Sequence, residues 1–251
     1  TSTGAGDNGG GAYYASGTAS YNSGNNNTKI PALGIYGFVN TVFVNQCSFI
    51  RCKYGVRTDS TWTGEFLYFG QTEVERANDT GWSLNANNSG DEGARKDYIT
   101  IDNCFASTNY GDAVVVENGI YGSVNINTLN CRGNRGHGIK LNATAAQNIG
   151  IINPIIGGNS SPSNQSSGVY ISNNVHNVFI TGGRIGGDGS LGGSGSQKYG
   201  IEIDGTTHNN IRIIGTNVNS NATGAIGYNG SWGGSGNKIQ FNSGTSYTKN
   251  T

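Results

Sequence analysis

The chain has 251 residues, of which 43 are glycine and 35 asparagine; 12% are charged, the formal net charge is zero, and methionine is absent. Disorder combines low hydrophobicity with high net charge, so this balance argues against it, and three prolines without a Gly-X-Y period exclude collagen. No apolar run approaches the roughly 20 residues of a membrane-spanning helix, and neutrality gives no electrostatic footprint for nucleic acid or an anionic membrane.

Residues 1–29 are mostly Gly, Asn, Ser, Thr and Tyr and read as an irregular lead-in or a first incomplete coil. The chain opens without Met, as expected of a processed piece of a longer protein, and no basic start with an apolar stretch marks a secretory signal. From residue 30 onward the apolar residues arrive in short bursts with a period of two, which means strands with one packed and one wet face. A first strand begins at Val42, Leu67, Ile99, Val124, Ile149, Val178, Ile211 and Ile239, with gaps of 25, 32, 25, 25, 29, 33 and 28 residues. Between these starts recurs a glycine or small residue followed by apolar-any-apolar, at Gly55, Gly81, Ala113, Gly138, Gly168, Gly200 and Gly224, with Gly34-Ile35-Tyr36 as an earlier copy. No stretch shows helical periodicity with caps.

A unit of about 25 residues holding two or three short strands cannot bury its apolar face alone, but copies stacked at about 4.8 Å can. The expected fold is therefore all-β: a right-handed, single-stranded parallel β-helix of roughly 8–9 coils and about 40 Å over residues 30–241, with 242–251 as an uncapped tail. The residue two places beyond the first strand reads Gln46, Gln71, Asn103, Thr128, Asn153, Gly182, Gly215, a column suited to left-handed backbone and stacked amides. The longer gaps place insertions near 86–97, 158–167 and 187–198, where a solenoid carries binding loops. Cys47 and Cys104 share a column two layers apart, too far for a disulfide; Cys104 and Cys131 lie in adjacent layers, as buried thiols or as a bridge. No Cys-x-x-Cys or His cluster supports a metal site, and no cofactor is expected.

Eleven of the fifteen acids fall between Asp59 and Glu117, and none between 118 and 187. Within this set, Glu73-Val74-Glu75 puts two carboxylates on one outward strand face, about 6.5–7 Å apart. That is near the lower end for an inverting glycosidase pair, which needs room for a water; an ordinary solvated strand face is the alternative. Asp112 and His137 precede the glycine column in adjacent repeats and are expected to stack about 5 Å apart, with Asp79 one layer beneath. Two carboxylates and an imidazole on one edge can supply acid, base and orienting groups, although Gly-Asp and Gly-His also fill turns. Phe43, Tyr68 and Phe179 alternate outward and Trp82 opens a strand; such aromatics stack on sugars or form subunit contacts. Arg57, Lys140, Tyr170 and Glu202 share one outward column, as a polar face or a sugar-binding track.

The series Asn78-Asp79-Thr80-Gly81, Gly111-Asp112-Ala113 and Gly136-His137-Gly138 resembles the motif series of polygalacturonase-type glycoside hydrolases, right-handed β-helices that cleave acidic polysaccharides with inversion. It departs from theirs in the scrambled first motif, in glycine at the position of their proton donor, and in the poor match of Arg184-Ile185-Gly186 to their Arg-x-Lys. More broadly, residues 30–241 resemble the Asn/Gly-rich trunk of bacteriophage tailspikes and related pectate-lyase-like proteins. That resemblance implies a homotrimer on a virion or otherwise outside the cell, which binds a bacterial surface polysaccharide and in many cases cleaves it. The expected catalytic residues are Glu73, Glu75, Asp79, Asp112 and His137; the expected substrate-binding residues are Trp82, Tyr68, Lys140, Tyr170 and Arg57. A non-catalytic receptor-binding adhesin or a structural fibre trunk is the competing expectation. An ice-binding array is excluded, because the repeated Thr-x-Thr positions it needs are absent.

Overall fold

Each alternating burst found in the described segments forms a strand, and each strand lies parallel to its copy in the next repeat. The structure, a computed structural model, describes residues 12–20, 31–36, 39, 41–60, 62, 64–86, 98–117, 119–120, 122–143, 146, 148–160, 166–186, 197–205, 207–229 and 236–240. Among these, all regular structure is β, every pairing is parallel, and no helix is long and apolar enough to cross a membrane. This is the arrangement of a parallel β-solenoid. The expected insertions fall largely on residues 87–97, 161–165 and 187–196, outside the described residues.

The repeat contains three strands, which sort into three lanes. The first lane stacks the front half of Thr41–Ile50, then Phe66–Gly70, Tyr98–Asp102, Ser123–Asn127, Asn148–Ile152, Val178–Thr181, Arg212–Ile214 and Lys238–Gln240. The second stacks the back half of Thr41–Ile50, then Glu73–Glu75, Phe105–Ser107, Asn130–Arg132, Ile155–Gly157, Arg184–Ile185 and Asn217–Val218. These two lanes, with Ala12–Ser20 added beside Thr41–Ile50, form one 15-stranded sheet, joined because Thr41–Ile50 spans both; the third lane is a separate 8-stranded sheet. It runs Leu33–Ile35, Val56–Thr58, Trp82–Leu84, Val114–Val116, Ile139–Leu141, Val169–Ile171, Tyr199–Asp204 and Gly224–Asn229. Ahead of residue 30, Ala12–Ser20 is itself a strand paired with Thr41–Ile50.

The register corrects three alignments. Ile239 stands beside Ile213, so it continues the second inward column of the first lane and not the one begun by Val42. Gly34 stands beside Arg57, two places past the glycine column. Gly224 stands beside Tyr199, so the column of Gly168 and Gly200 ends at Ala225.

Inward columns from the three lanes meet in one continuous core from Ile35 to Tyr228. Its bulk comes from Val44, Phe69, Ile101, Ile126, Ile151, Ile180 and Ile213 in one column and from Val56, Trp82, Val114, Ile139, Val169, Ile201 and Ile226 in another. The four cysteines are buried thiols, with no bridge between Cys104 and Cys131. Burial pushes the Cys52 thiol up to about 11 and the Cys104 thiol up to about 12.

The bend between the first and second lanes is made as the sequence column requires. Gln46, Gln71, Asn103, Thr128, Asn153, Gly182 and Gly215 all have φ between 46° and 67°, and the Gln46 amide donates to Gln71 Oε1 at 3.2 Å. A second left-handed column closes the second lane: Arg51, Arg76, Thr108, Gly133, Gly158 and Ser220. Next to it lies an asparagine ladder inside the protein. Asn109, Asn134 and Asn159 are each 0% exposed. Asn109 Nδ2 donates to Asn134 Oδ1 at 2.8 Å, and Asn134 Nδ2 donates to Asn159 Oδ1 at 2.7 Å. The same oxygens accept main-chain N–H groups of the neighbouring layer, so the corner satisfies its own buried amides.

Candidate functional site

The corner between the second and third lanes is built from three short columns. Tyr110 and Arg135 stack in one, through the Tyr110 N–H to Ala77 O and the Arg135 N–H to Asn109 O. Asp79, Gly111 and Gly136 stack in the next, each glycine N–H donating to the carbonyl below at 2.9 Å. Thr80, Asp112, His137 and Ser167 form the last, where each chain turns into the third lane. Gly136 is required by close approach: a Cβ there would run into Asp112 Oδ1.

The expected stacking of Asp112 under His137 is present, but its chemistry differs from expectation. Asp112 Oδ1 accepts the main-chain N–H of His137 at 2.6 Å, and not a ring proton. The ring turns onward: His137 Nδ1 accepts the Ser167 N–H at 3.0 Å, and the ring lies 4.8 Å from that of Tyr170, tilted by 32°. An accepting Nδ1 places the proton of the neutral ring on Nε2, which makes that edge a hydrogen-bond donor. Burial pushes the imidazole below its usual range; the Asp112 and Glu202 carboxylates oppose this and Lys140 reinforces it. His137 is therefore held as a neutral donor near pH 7.

Beyond His137 the third lane carries a polar chain. Ser167 Oγ donates to Glu202 Oε2 at 2.6 Å, while Lys198 Nζ and Asn229 Nδ2 reach Glu202 Oε1 at 3.2 and 3.0 Å. Glu202 is only 5% exposed, and these three donors compensate its buried charge. The Tyr170 hydroxyl donates to Asp204 Oδ2 at 2.7 Å; burial raises its pKa first, and the Asp204 carboxylate raises it further. Lys140, Tyr170 and Glu202 occupy successive places of one outward column, as the sequence column required.

The remaining site residues lie elsewhere. Glu73 and Glu75 sit on the second lane, where Glu73 accepts the Ser48 hydroxyl at 3.3 Å and Glu75 pairs with Arg76 at 3.1 Å. The second turn separates them from Asp112 and His137. Asp79 Oδ1 takes the Thr80 hydroxyl at 3.3 Å, and its place is beneath Gly111. Arg57 belongs to the Lys140 column, but Ser83 and Val115 stand between them, and its guanidinium lies over Tyr54 at 4.8 Å. Tyr68 is on the first lane, 6.0 Å from Phe43, with its hydroxyl 3.5 Å from Asp102 Oδ2. Trp82 is a correction: it is 0% exposed, in the inward column of Val56 and Val114, and offers no face to a sugar.

Ser167, Lys198, Asp204 and Asn229 were missed by sequence reasoning. Ser167 was detectable, because it continues the column of Asp112 and His137. Glu202 was placed in its column without being read as the acceptor of three donors. Lys198 and Asn229 gave no signal, since they reach Glu202 along and across strands. Among the described residues, no group of three or more His, Cys, Asp or Glu side chains could hold a metal ion. Comparison of the chain with protein-family models, with curated proteins and with solved structures finds no match.

Proposed function

We propose that the chain is a carbohydrate-active β-helix that binds and cleaves a bacterial surface polysaccharide, as part of a phage tailspike or a similar extracellular protein. In this reading its strands wind right-handedly through roughly 8–9 coils, the active form is a homotrimer, and nucleic acid and membrane are not partners. The observation that carries it is the gathering of Asp112, His137, Tyr170 and Lys140 on one corner and its adjoining lane, in successive layers. This supplies an acid, a neutral donor, an aromatic ring and a cation within the span of a few sugar units. Asp112 Oδ1 is committed to the His137 amide, so Oδ2 is the atom that meets substrate as general acid or base. His137 Nε2–H donates to a sugar oxygen beside it.

The test is oligosaccharide release from capsular and O-antigen polysaccharides. Asp112→Asn keeps an oxygen for the His137 amide but removes the acid, and is expected to abolish release while binding survives. Glu73→Gln/Glu75→Gln is expected to keep activity, because those carboxylates stand in another lane. If Asp112→Asn is fully active, the assignment fails. Equilibrium sedimentation addresses the trimer, and a clean monomer counts against it.

A receptor-binding adhesin is the second reading. The observation that favours it is Asp112 itself, whose Oδ1 already serves the backbone and whose preceding residue, Gly111, carries no acid. Binding without release across the panel would establish it.

A further inference from the structure

The two glycines at the corner separate two walls. Gly111 and Gly136 stand between the column of Tyr110 and Arg135 on one side and that of Asp112 and His137 on the other. A side chain at either glycine would meet a carboxylate, Asp79 at Gly111 and Asp112 at Gly136, so the strip between the walls holds these two acids. The Arg135 guanidinium lies 3.9 Å from the centre of the Tyr110 ring, within cation–π range. That contact covers one ring face and fixes its orientation. The ring nonetheless keeps 54% of its surface exposed, more than Tyr36, Tyr98 or Phe179.

An orientated, half-wet aromatic face beside two carboxylates matches what a sugar ring requires. The C–H face of a pyranose packs on the ring, and its edge hydroxyls are left to the carboxylates beside it. The geometry points to Tyr110, braced by Arg135, as a sugar-stacking subsite that delivers the adjacent glycosidic bond to Asp112. This rests on the polysaccharide reading above. It adds two residues that the sequence did not single out, and it makes the corner between the second and third lanes the mouth of the site. The column order also sets a direction: successive sugars run along the solenoid axis from layer to layer, and not around it.

The experiment is titration calorimetry of the full chain with purified capsular and O-antigen polysaccharides, using wild type, Tyr110→Ala, Tyr110→Phe and Arg135→Ala. Tyr110→Ala is expected to weaken binding about tenfold, equivalent to about 1.4 kcal/mol. Tyr110→Phe, which keeps the ring, restores binding to within about threefold of wild type, a result that loss of the hydroxyl or a folding defect would not give. Arg135→Ala falls between them, because the ring remains but its brace is gone. Where cleavage is measurable, Tyr110→Ala raises KM and leaves kcat nearly unchanged. Thermal unfolding of all three variants should match wild type, since both side chains are exposed. If wild type binds and Tyr110→Ala binds equally well, the subsite is overturned while the functional reading stands. If wild type binds nothing in the panel, the functional reading falls and the subsite falls with it.

Discussion

Replacing Asn134 by alanine tests whether the buried amide ladder holds the corner together. Asn134 Oδ1 accepts the Asn109 N–H at 3.1 Å and Asn109 Nδ2 at 2.8 Å, and all the groups involved are fully buried. Alanine leaves two donors inside the protein without an acceptor. Each orphaned donor costs about 1–3 kcal/mol, so the pair costs about 2–6 kcal/mol. Asn134 Nδ2 also leaves the Ala106 carbonyl and Asn159 Oδ1, but the latter keeps the Asn134 main-chain N–H at 3.2 Å, so that side adds little. The assay is urea unfolding followed by circular dichroism, with the exposed neighbour Asn78→Ala as control, expected within about 0.5 kcal/mol of wild type. Asn109→Ala removes the acceptor of the Ala77 N–H, 2.8 Å away, and the two variants share one network. Their double mutant should therefore show a coupling of about 0.5–3 kcal/mol. A cost for Asn134→Ala below about 1 kcal/mol, or strict additivity with Asn109→Ala, refutes the argument that these amides act as a ladder.

Three further outcomes are expected. Thr128 has φ 50° between Asn103 and Asn153 in the same column, so Thr128→Asn should stabilise by about 1 kcal/mol in the same urea assay; a loss of stability would show that the Thr side chain packs better than its backbone fits. His137 is depressed below its unfolded value of 6.5, so the unfolded chain takes up the proton first as pH falls. Stability should be complete above about pH 7 and decline below 6.5 down to the folded value, and His137→Gln should flatten that decline. His176 is lowered in the same direction, so the His137 effect is read as the difference between variants with His176 intact. All four thiols are buried, and a thiol reagent at pH 8 should label none in the folded protein and all four in urea; rapid labelling of Cys131, which is 0% exposed, would contradict the core described here.

The sequence disclosed the strands because period-two alternation and left-handed turn residues are local signals. It misplaced Ile239 and Gly34 by two residues each, and for one physical reason: a slip of two preserves the inward and outward faces and is invisible to alternation. Only the hydrogen-bonded register separates the alternatives, and it seats Ile213 with Ile239 and Gly34 with Arg57. The second left-handed column escaped notice because Arg51, Arg76 and Thr108 are not residues that announce positive φ. Trp82 was misjudged through its chemistry. Its place directly after the glycine column is that of Val56 and Ile139, both fully buried, and position outweighs a residue's capacity to stack on a sugar.

The site follows from a geometric property of stacked repeats. Residues of one repeat diverge into three lanes, whereas residues of one column meet at the layer spacing of about 4.8 Å. Acids that are close in sequence, such as Glu75 and Asp79, are therefore separated by a turn, while Asp112, His137 and Ser167, about 25 to 30 residues apart, form one contact chain. The concentration of acids between Asp59 and Glu117 is for this reason a poor guide to chemistry, because its described members scatter: Asp102 on the first lane, Glu73 and Glu75 on the second, Asp79 and Asp112 at the corner before the third. Columns are the better guide, and two are rich in functional groups: Asp112, His137, Ser167 and, beside it, Lys140, Tyr170, Glu202. What a column does not reveal is where each side chain spends its hydrogen bonds. Glu202 is held on both oxygens by Ser167, Lys198 and Asn229, whereas Asp112 serves a main-chain amide with Oδ1 and has Oδ2 for the proposed chemistry. Asp112→Asn separates these roles, since the amide oxygen preserves the first and removes only the second.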